Sequence, residues 1–362
     1  MKFGLGPYWL GGTDHHRRFR EMVQQALLAQ ECAFDSVWLG EAHFTGQGCC
    51  PHPFVPAAAL AVQADALRIG VLCHLSLVHP AYVAEDAVTV DNISNGRLLM
   101  ALALPWRPQE AEGYGLDPTE ALARFWEGVE VLRHGWAPQP FAFQGQHYRI
   151  PARLPANRPT GDAISLTPKP AQVTIPLWVA SQDGLVVEAA RRRMPILGLP
   201  WQGLDELAYL FQVYKGALGD VPPDHIYALA RIVWVERTSA GARRSLEEAL
   251  PGLAEVWQEM LGVAAKDVGH LREAAICGDV DECIAQVRRY QEALGINYLV
   301  CYMALPGLPH RRVLQAIELW GKAVISEFRM AHFPAQIRQR FLEDAYGWRR
   351  ELWPRFEEVS EP

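Results

Sequence analysis

The sequence lacks any apolar segment close to the roughly 20 residues that a membrane-spanning helix needs. Its N-terminal stretch is broken by glycine and proline, which does not fit the apolar core of a signal peptide. It also lacks runs of lysine or arginine, and its formal net charge of -7 argues against a nucleic-acid surface. We therefore expect a soluble, cytoplasmic protein whose partners include neither a membrane nor a nucleic acid.

Signatures of several common enzyme classes are also missing. There is no glycine-rich phosphate loop, which removes the commonest route to ATP or NAD. No histidine pair at helical spacing accompanies a carboxylate, and no serine lies in a nucleophile elbow, so neither a zinc hydrolase nor a serine hydrolase is supported. Seven cysteines without metal-ligand spacing fit a reducing compartment better than a disulfide framework. We expect no metal site.

One segment combines a strand pattern with reactive side chains. Residues 36–39, Ser-Val-Trp-Leu, have strand character and run directly into a polar turn that carries Glu41 and His43. In parallel α/β folds, ligands bind beyond the carboxyl ends of the strands. A carboxylate and an imidazole at such a place are candidate catalytic residues. The alternative is that Glu41 caps a loop and that His43 is a buried, hydrogen-bonded structural histidine.

Segments with strand character alternate with helix-like segments along a chain of 362 residues, half of them hydrophobic. The pattern predicts eight strands, each followed by a helix, which is the arrangement of a (β/α)8 TIM barrel of the α/β class. The fourth strand is apolar throughout, as a strand buried on both faces should be. The predicted strands cover residues 2–6, 36–39, 67–72, 98–104, 177–180, 196–199, 227–235 and 298–302.

The barrel prediction assigns residues 1–328 to one domain with an insertion, followed by a tail. Residues 138–176 are rich in proline and too long for an ordinary connection, so we expect an insertion after the fourth unit, with a hairpin near residues 141–150. Residues 329–362 carry aromatic and charged residues at helical spacing. This spacing predicts a C-terminal helical extension, packed on the outside of the barrel or on a partner.

Several segments, taken in order, carry a resemblance to one family. They are FDSVWLGEAHF at the second strand, LRIGVLCHLSLVHPAYVAEDAVTVDNISNGRL at the third, IPLWVASQDGLVVEAA at the fifth and INYLVCYMALPGLPHRRVLQAIELWGKAVI at the last. From residue 1 to about residue 328, the chain resembles the bacterial luciferase-like family of flavin-dependent monooxygenases. The resemblance also implies the (β/α)8 barrel.

The resemblance implies an oxidoreductase that binds reduced FMN at the carboxyl ends of the strands. In such enzymes reduced FMN reacts with O2 to form a flavin C4a-peroxide, which oxidises a small organic substrate. A separate flavin reductase supplies the reduced FMN, and the assembly is a homodimer or a heterodimer. Two alternatives stay open: a non-catalytic barrel subunit that stabilises an active homologue, and a deazaflavin (F420)-dependent enzyme that transfers hydride.

Carried over residue by residue, the resemblance places Glu41 and His43 on the acid and the second histidine of the family's Glu-His-His segment. The first histidine, often catalytic in the family, is here replaced by Ala42. The resemblance also implies that Leu72 and Cys73 contact the flavin and are joined by a non-proline cis peptide bond, whereas an ordinary strand end would be trans.

The implied flavin phosphate site departs from the family pattern. Its two arginines fall on Leu104 and Leu122, and Arg124 is either a replacement or a solvated helix residue. The turn after the fifth strand matches the family's flavin-contacting turn, where amides at a helix start could hold phosphate. Ser181 in that turn is otherwise a helix N-cap. The candidate flavin-binding residues there are Ala180, Ser181, Gln182 and Leu185.

Three aromatic residues near the same strand ends are candidates for the substrate pocket: Phe44 after the second strand, and Trp106 and Tyr114 after the fourth. Each could equally fill the core, because aromatic side chains bury well wherever there is space. We also expect the insertion at residues 138–176 and the loop at residues 44–54 to line the pocket, and their aromatic and apolar content favours an organic substrate over an ionic one.

Overall fold

The computed structural model describes residues 1–8, 14–46, 50–152, 163–261 and 268–330. Its strands are β1 (Lys2–Tyr8), β2 (Ser36–Leu39), β3 (Arg68–His74), β4 (Leu98–Ala103), β5 (Phe143–Gln144), β6 (Arg149–Ile150), β7 (Leu177–Ala180), β8 (Ile196–Gly198), β9 (Ala228–Val235), β10 (Ile276–Gly278) and β11 (Tyr298–Tyr302).

Its helices are α1 (His15–Glu31), α2 (Phe54–Gln63), α3 (Pro80–Ile93), α4 (Pro108–Gly113), α5 (Ala121–Trp136), α6 (Val186–Arg191), α7 (Leu204–Leu218), α8 (Ser239–Leu261), α9 (Val268–Ala274), α10 (Val280–Leu294), α11 (His310–Leu319) and α12 (Ser326–Arg329). A 3₁₀ turn at Pro118–Glu120 precedes α5, and a π-helical segment at Trp320–Ile325 lies between α11 and α12. Among the described residues, none of these helices is long and apolar enough to span a membrane.

Eight parallel strands close into a barrel. Their order is β1, β2, β3, β4, β7, β8, β9 and β11, and β11 pairs back onto β1. Pairing of β8 with β9 completes the ring, and β10 adds to the carboxyl end of β9. The barrel strands follow one another in sequence order with helices between them. The predicted (β/α)8 barrel is therefore confirmed.

The barrel interior is organised around Trp38 on β2, whose side chain is almost completely buried. Its ring packs against those of Trp178 and Tyr298 from two other strands, with centroids 4.9 Å and 6.4 Å away. A Cβ atom added at Gly70 would lie 2.2 Å from the Trp38 ring, and one added at Gly4 would lie 2.7 Å from it. The neighbouring strands therefore need glycine where they face this indole, because any larger residue would displace it.

Three short elements had no prediction: α4, α9 and β10. Each spans between three and seven residues, which is too few to express a hydrophobic period. Within the insertion, β5 and β6 form the expected antiparallel hairpin, in which Phe143 pairs with Ile150. The predicted tail beyond residue 330 lies outside the described residues, and the division into domain, insertion and tail stays a prediction.

The expected cis bond between Leu72 and Cys73 is wrong. The cis peptide bonds of the described residues both precede prolines, elsewhere in the chain. Strand β3 keeps its parallel register with β4 through this point, with Leu72 opposite Ala101 and Cys73 opposite Leu102. Regular pairing requires the extended trans backbone, and a non-proline cis bond would cost about 3 kcal/mol.

Candidate active site

A buried hydrogen-bonded chain of side chains lies beyond the carboxyl ends of β2 and β3. Oε1 of Glu41 lies 2.7 Å from Nε2 of His43. Nδ1 of His43 lies 2.9 Å from the hydroxyl of Tyr114, the residue that follows α4. The second carboxylate oxygen of Glu41 accepts the backbone N–H of His74 at the end of β3. The structure therefore brings both predicted catalytic residues together with one predicted pocket residue.

The environment shifts the pKa values of two members of this chain. Burial raises the pKa of Glu41, but the hydrogen bond with His43, the neighbouring rings of His74 and His43 and the His74 backbone N–H lower it more, so its pKa lies below the ordinary value. Burial and the nearby carboxylates of Glu41 and Glu110 raise the pKa of Tyr114. Glu41 is therefore a carboxylate, which can only accept in its hydrogen bond with His43 Nε2, and His43 Nδ1 shares a hydrogen bond with the Tyr114 hydroxyl.

Glu110 on α4 holds the loops around this chain, and the sequence analysis missed it. Its side chain is almost fully buried, and Oε1 accepts the backbone N–H of His43 at 3.0 Å. Oε2 accepts the N–H groups of Trp106 and Arg107, at 2.7 Å and 3.2 Å. A sequence signal exists, because Pro108 opens the helix and Glu110 stands at the third helical position, where a carboxylate completes a capping box.

His74 is a second residue that the sequence analysis did not select. It follows Gly70 and Leu72 on the alternating positions of β3 that face the barrel interior. Its ring is fully buried, and both ring nitrogens lack a hydrogen-bond partner among the described residues, although Nδ1 lies 3.9 Å from Oε2 of Glu110. Burial lowers the pKa of His74, so the imidazole is neutral. The ring of Trp106 packs edge-on against it, with centroids 5.2 Å apart.

A cavity of about 270 Å³ adjoins the buried chain. It lies at the carboxyl ends of β2 and β3, and Glu41, His43 and Tyr114 form part of its wall. Apolar and aromatic side chains predominate in the remainder, so the cavity suits a small organic molecule. The other lining residues are Pro51, His52, Pro53, Phe54, Cys73, Val78, His79, Tyr82, Val83 and Asp86.

Glu41, His43 and His74 also bring together donor atoms of the kinds that zinc and iron accept. One atom from each lies within 4.8 Å of the other two. Both carboxylate oxygens of Glu41 are, however, already hydrogen-bonded. We assign no metal to this cluster, and the expectation of a protein without a metal site stays a prediction.

The other predicted pocket and flavin residues near β2 to β4 occupy different environments. Phe44 is 60% exposed and packs on the Tyr114 ring, with centroids 5.2 Å apart. Trp106 is half-buried, and its Nε1–H donates to the backbone carbonyl of Glu41 at 3.2 Å. Leu72 belongs to the apolar cluster inside the barrel. Cys73 points the opposite way and lines the cavity, and burial raises the pKa of its thiol well above the ordinary value.

The turn after β7 uses its polar groups internally. Ser181 Oγ donates to Oε1 of Gln202 at 2.5 Å. The side chain of Gln182 bonds the backbone of Leu104, accepting its N–H at 2.8 Å and donating to its carbonyl at 3.2 Å. Ala180 and Leu185 are buried apolar residues on either side of the turn. The turn after β7 and the loop after β4 therefore do meet, as the predicted flavin site requires. Their polar groups, however, hydrogen-bond to each other.

Arg124 does not supply a free positive charge for a phosphate. Its guanidinium lies 2.8 Å from a carboxylate oxygen of Glu120 on the preceding turn. It also stands over the ring of Tyr148, 5.8 Å from the centroid. The residues of this region therefore do not fit a flavin phosphate. The His74 ring nitrogens, which have no hydrogen-bond partner among the described residues, and the Trp106 indole do suit a flavin ring, which carries hydrogen-bonding groups along its edge and stacks on aromatic side chains.

Comparison with known proteins identifies the family. The family model described as luciferase-like monooxygenase matches residues 6–296. The chain belongs to the luciferase-like monooxygenase family. The 4-hydroxyprotoasukamycin monooxygenase of Streptomyces nodosus subsp. asukaensis is 25% identical over 350 residues, covering 91% of this chain and 92% of that protein. The luciferase-like fold expected from the sequence is thus confirmed.

Solved structures and further relatives of this luciferase-like protein agree. The oxygenating constituent of 3,6-diketocamphane monooxygenase from the CAM plasmid of Pseudomonas putida, in complex with FMN, superposes with a TM-score of 0.74. It is 21% identical, and the match covers 90% of this chain and 97% of that one. A putative coenzyme F420-dependent oxidoreductase of Mycobacterium tuberculosis is 29% identical over 208 residues, covering 55% and 56% of the two chains.

A third relative is described as one part of a larger system. The flavin-dependent trigonelline monooxygenase, oxygenase component, of Acinetobacter baylyi is 27% identical over 189 residues, covering 51% of this chain and 49% of that protein. The relatives of this luciferase-like chain are therefore mainly flavin-dependent monooxygenases, with F420-dependent members among them.

Proposed function

We propose that this luciferase-like protein is a flavin-dependent monooxygenase that uses reduced FMN and O2 to oxidise a small organic substrate. One observation carries the proposal: the buried Glu41–His43–Tyr114 chain forms part of a cavity wall at the carboxyl ends of the strands. Its relatives support the reaction class, because two of them are monooxygenases and one of these is described as flavin-dependent. When bound, the reduced flavin would supply the electrons that activate O2.

In this proposal the flavin ring is held at the barrel mouth by His74 and Trp106. The buried ring nitrogens of His74 would hydrogen-bond the polar edge of the flavin ring, which would relieve the cost of leaving them unpaired. The half-buried Trp106 offers an aromatic surface beside His74. No described residue is assigned to the flavin phosphate.

Proton transfer is the role that the geometry gives to His43. A proton arriving at Nδ1 would make an imidazolium, which the Glu41 carboxylate stabilises through the 2.7 Å hydrogen bond to Nε2. Glu41 also fixes the orientation of the ring, as a carboxylate partner does in other histidine-based sites. The Tyr114 hydroxyl, 2.9 Å from Nδ1, connects the imidazole to the cavity.

The remaining expectations belong to the same proposal. A separate flavin reductase would supply the reduced FMN, as the description of one relative as an oxygenase component suggests. The protein would act in the cytoplasm as a homodimer or a heterodimer. The apolar cavity lining supports an organic substrate, with O2 as the second one.

Two other functions have specific support. The internally bonded turn after β7 would suit a non-catalytic barrel subunit that stabilises an active homologue. The F420-dependent relative supports hydride transfer with a deazaflavin instead of oxygenation.

An anaerobic titration with reduced FMN, followed by addition of O2, tests the proposed function. Quenching of tryptophan fluorescence reports binding, and the return of flavin absorbance reports reaction with O2. We expect binding, and reoxidation that is slower than that of free reduced FMN because the site excludes water. Binding of reduced F420 alone would favour hydride transfer. Failure to bind either cofactor, with capture of a homologous chain, would favour the subunit.

A further inference from the structure

We propose that this protein binds flavin through the ring system and gains little affinity from the phosphate, so that riboflavin and FMN bind almost equally well. The inference rests on the proposed flavin dependence. It concerns a region that we call the β4–β7 turn, formed by Leu104, Leu122 and residues 181–184. Residue-by-residue resemblance to the family places the flavin phosphate there. In this chain, leucines stand at the two arginine positions of that phosphate site.

The hydrogen-bond donors of Leu104, Ser181 and Gln182 in the β4–β7 turn are already occupied. The Leu104 N–H donates to Gln182 Oε1, and the amide of the Gln182 side chain donates back to the Leu104 carbonyl. The Ser181 hydroxyl donates to Oε1 of Gln202, which also accepts the backbone N–H of Leu199. A phosphate would have to break these bonds, and each broken bond would offset the one it replaced.

The backbone amides of the β4–β7 turn also offer few N–H donors to a phosphate. The N–H of Ser181 donates to the Leu197 carbonyl within the sheet, and the N–H of Gln182 donates to the Ala180 carbonyl at 2.7 Å. Helix α6 follows with only six residues, too few to build a substantial dipole at its start. The turn also carries the exposed Asp183, whose negative charge disfavours an anion nearby.

The charge of the β4–β7 turn is also wrong for a phosphate. Asp183 lies within it, and Glu206 reaches it through a 2.9 Å hydrogen bond from Gln202. The nearest arginine of α5, Arg124, is paired with Glu120. Leu122 fills the space against Gly184, where its methyl carbons would lie 3.6 Å and 3.8 Å from an added Cβ. A group with close to two negative charges would therefore meet carboxylates and an apolar side chain.

The mouth of the barrel differs from the β4–β7 turn, because it retains unpaired polar atoms and aromatic surface. Both ring nitrogens of His74 are buried without a hydrogen-bond partner among the described residues, and the nearest ion-pair contact is 3.9 Å, from Nδ1 to Glu110. Trp106 packs edge-on against His74 and also lies edge-on to Trp201, with centroids 5.2 Å and 5.1 Å apart. A flavin ring can use both features, and riboflavin carries the same ring as FMN. The ring system should therefore determine the affinity for flavin, and riboflavin and FMN should bind similarly.

Parallel anaerobic titrations with reduced riboflavin and reduced FMN test the inference directly. A single charge-assisted hydrogen bond to phosphate is worth roughly tenfold to a hundredfold in affinity. We expect dissociation constants that agree within about threefold, because no such bond is available. A preference for FMN of about twentyfold or more would overturn the inference while leaving the proposed function intact. Failure of both flavins to bind would overturn both proposals.

Installing the missing charge provides a second test. Leu122 is 41% exposed, so Leu122→Arg should fold, and Leu122→Gln is a neutral control of similar polarity. We expect Leu122→Arg to raise the preference for FMN over riboflavin at least about fivefold, and Leu122→Gln to leave it unchanged. An arginine without effect would show that the flavin phosphate does not lie at the β4–β7 turn, which would overturn the argument.

Discussion

The two sides of the barrel's top face solve the problem of buried polar groups in different ways. At the ends of β2 and β3, charged and titratable side chains converge on a cavity, and Tyr114 connects them to it. At the β4–β7 turn, neutral amides and hydroxyls satisfy one another. Buried ionisable groups are costly unless they are paired, and sites with shifted pKa values are often functional. The contrast favours the β2–β3 side as the place of the proposed chemistry.

The largest expected effect comes from removing the imidazole on the β2–β3 side. His43→Gln should lower turnover by about 10²-fold to 10⁴-fold, because general acid–base groups contribute that much. Substrate-dependent O2 consumption with reduced flavin measures it. His134→Gln on the exposed face of α5 is the matched control and should leave turnover unchanged. Unchanged turnover in His43→Gln, with flavin binding intact, would remove the reason for placing the chemistry there.

Stability should also depend more on the β2–β3 side. Glu110→Ala leaves three backbone N–H groups without their acceptor, those of His43, Trp106 and Arg107. An unsatisfied buried donor costs about 1–3 kcal/mol, so we expect a loss of roughly 3–5 kcal/mol in the free energy of unfolding. Urea denaturation measures it. Glu112→Ala on the same helix is exposed and should change stability by less than about 0.5 kcal/mol.

Acid should weaken the β2–β3 side selectively. The pKa of Glu41 is lower in the folded protein, so its contribution to stability is present above the ordinary value and is lost as pH falls through the folded pKa. Burial also lowers the pKa of His74 from its ordinary value of 6.5. Below pH 6.5 the unfolded chain therefore binds a proton at His74 that the folded protein does not bind, and this difference favours unfolding. We expect the free energy of unfolding to decrease from pH 7 towards pH 4.

His74→Gln should flatten the upper part of that decrease, between pH 7 and about pH 5, because glutamine does not titrate there. Urea denaturation at a series of pH values shows the slope. A wild-type profile that is level over this range would contradict the prediction. His134→Gln serves again as the control, since it removes an exposed histidine and should leave the slope unchanged.

The smallest effect is expected at the β4–β7 turn. Ser181→Ala removes one hydroxyl donor, but Oε1 of Gln202 still accepts the backbone N–H of Leu199 at 2.9 Å. No buried group is left unpaired, so we expect a loss of about 1 kcal/mol or less in the free energy of unfolding. A loss as large as that of Glu110→Ala would erase the difference between the two sides.

The barrel and half of the candidate site followed from the sequence. Alternation of apolar strands and amphipathic helices is a local pattern, so it predicted eight strands and even the exact bounds of β2, β7 and β11. Glu41 and His43 were predictable because they directly follow a strand, and strand ends of parallel sheets form sites. The altered phosphate positions, Leu104 and Leu122, were also visible as departures from the family pattern.

Only the tertiary structure decided which distant residues join them. Glu110 bonds His43 across 67 positions of sequence, and His74 bonds Glu41 across 33, because β2, β3 and β4 are neighbours in the barrel. The sequence analysis predicted neither α4 nor a role for His74, and no local pattern shows the partners of either. It was likewise unable to show that Arg124 is occupied by Glu120. Local pattern sets the elements, whereas charge pairing and donor satisfaction depend on packing that no local pattern records.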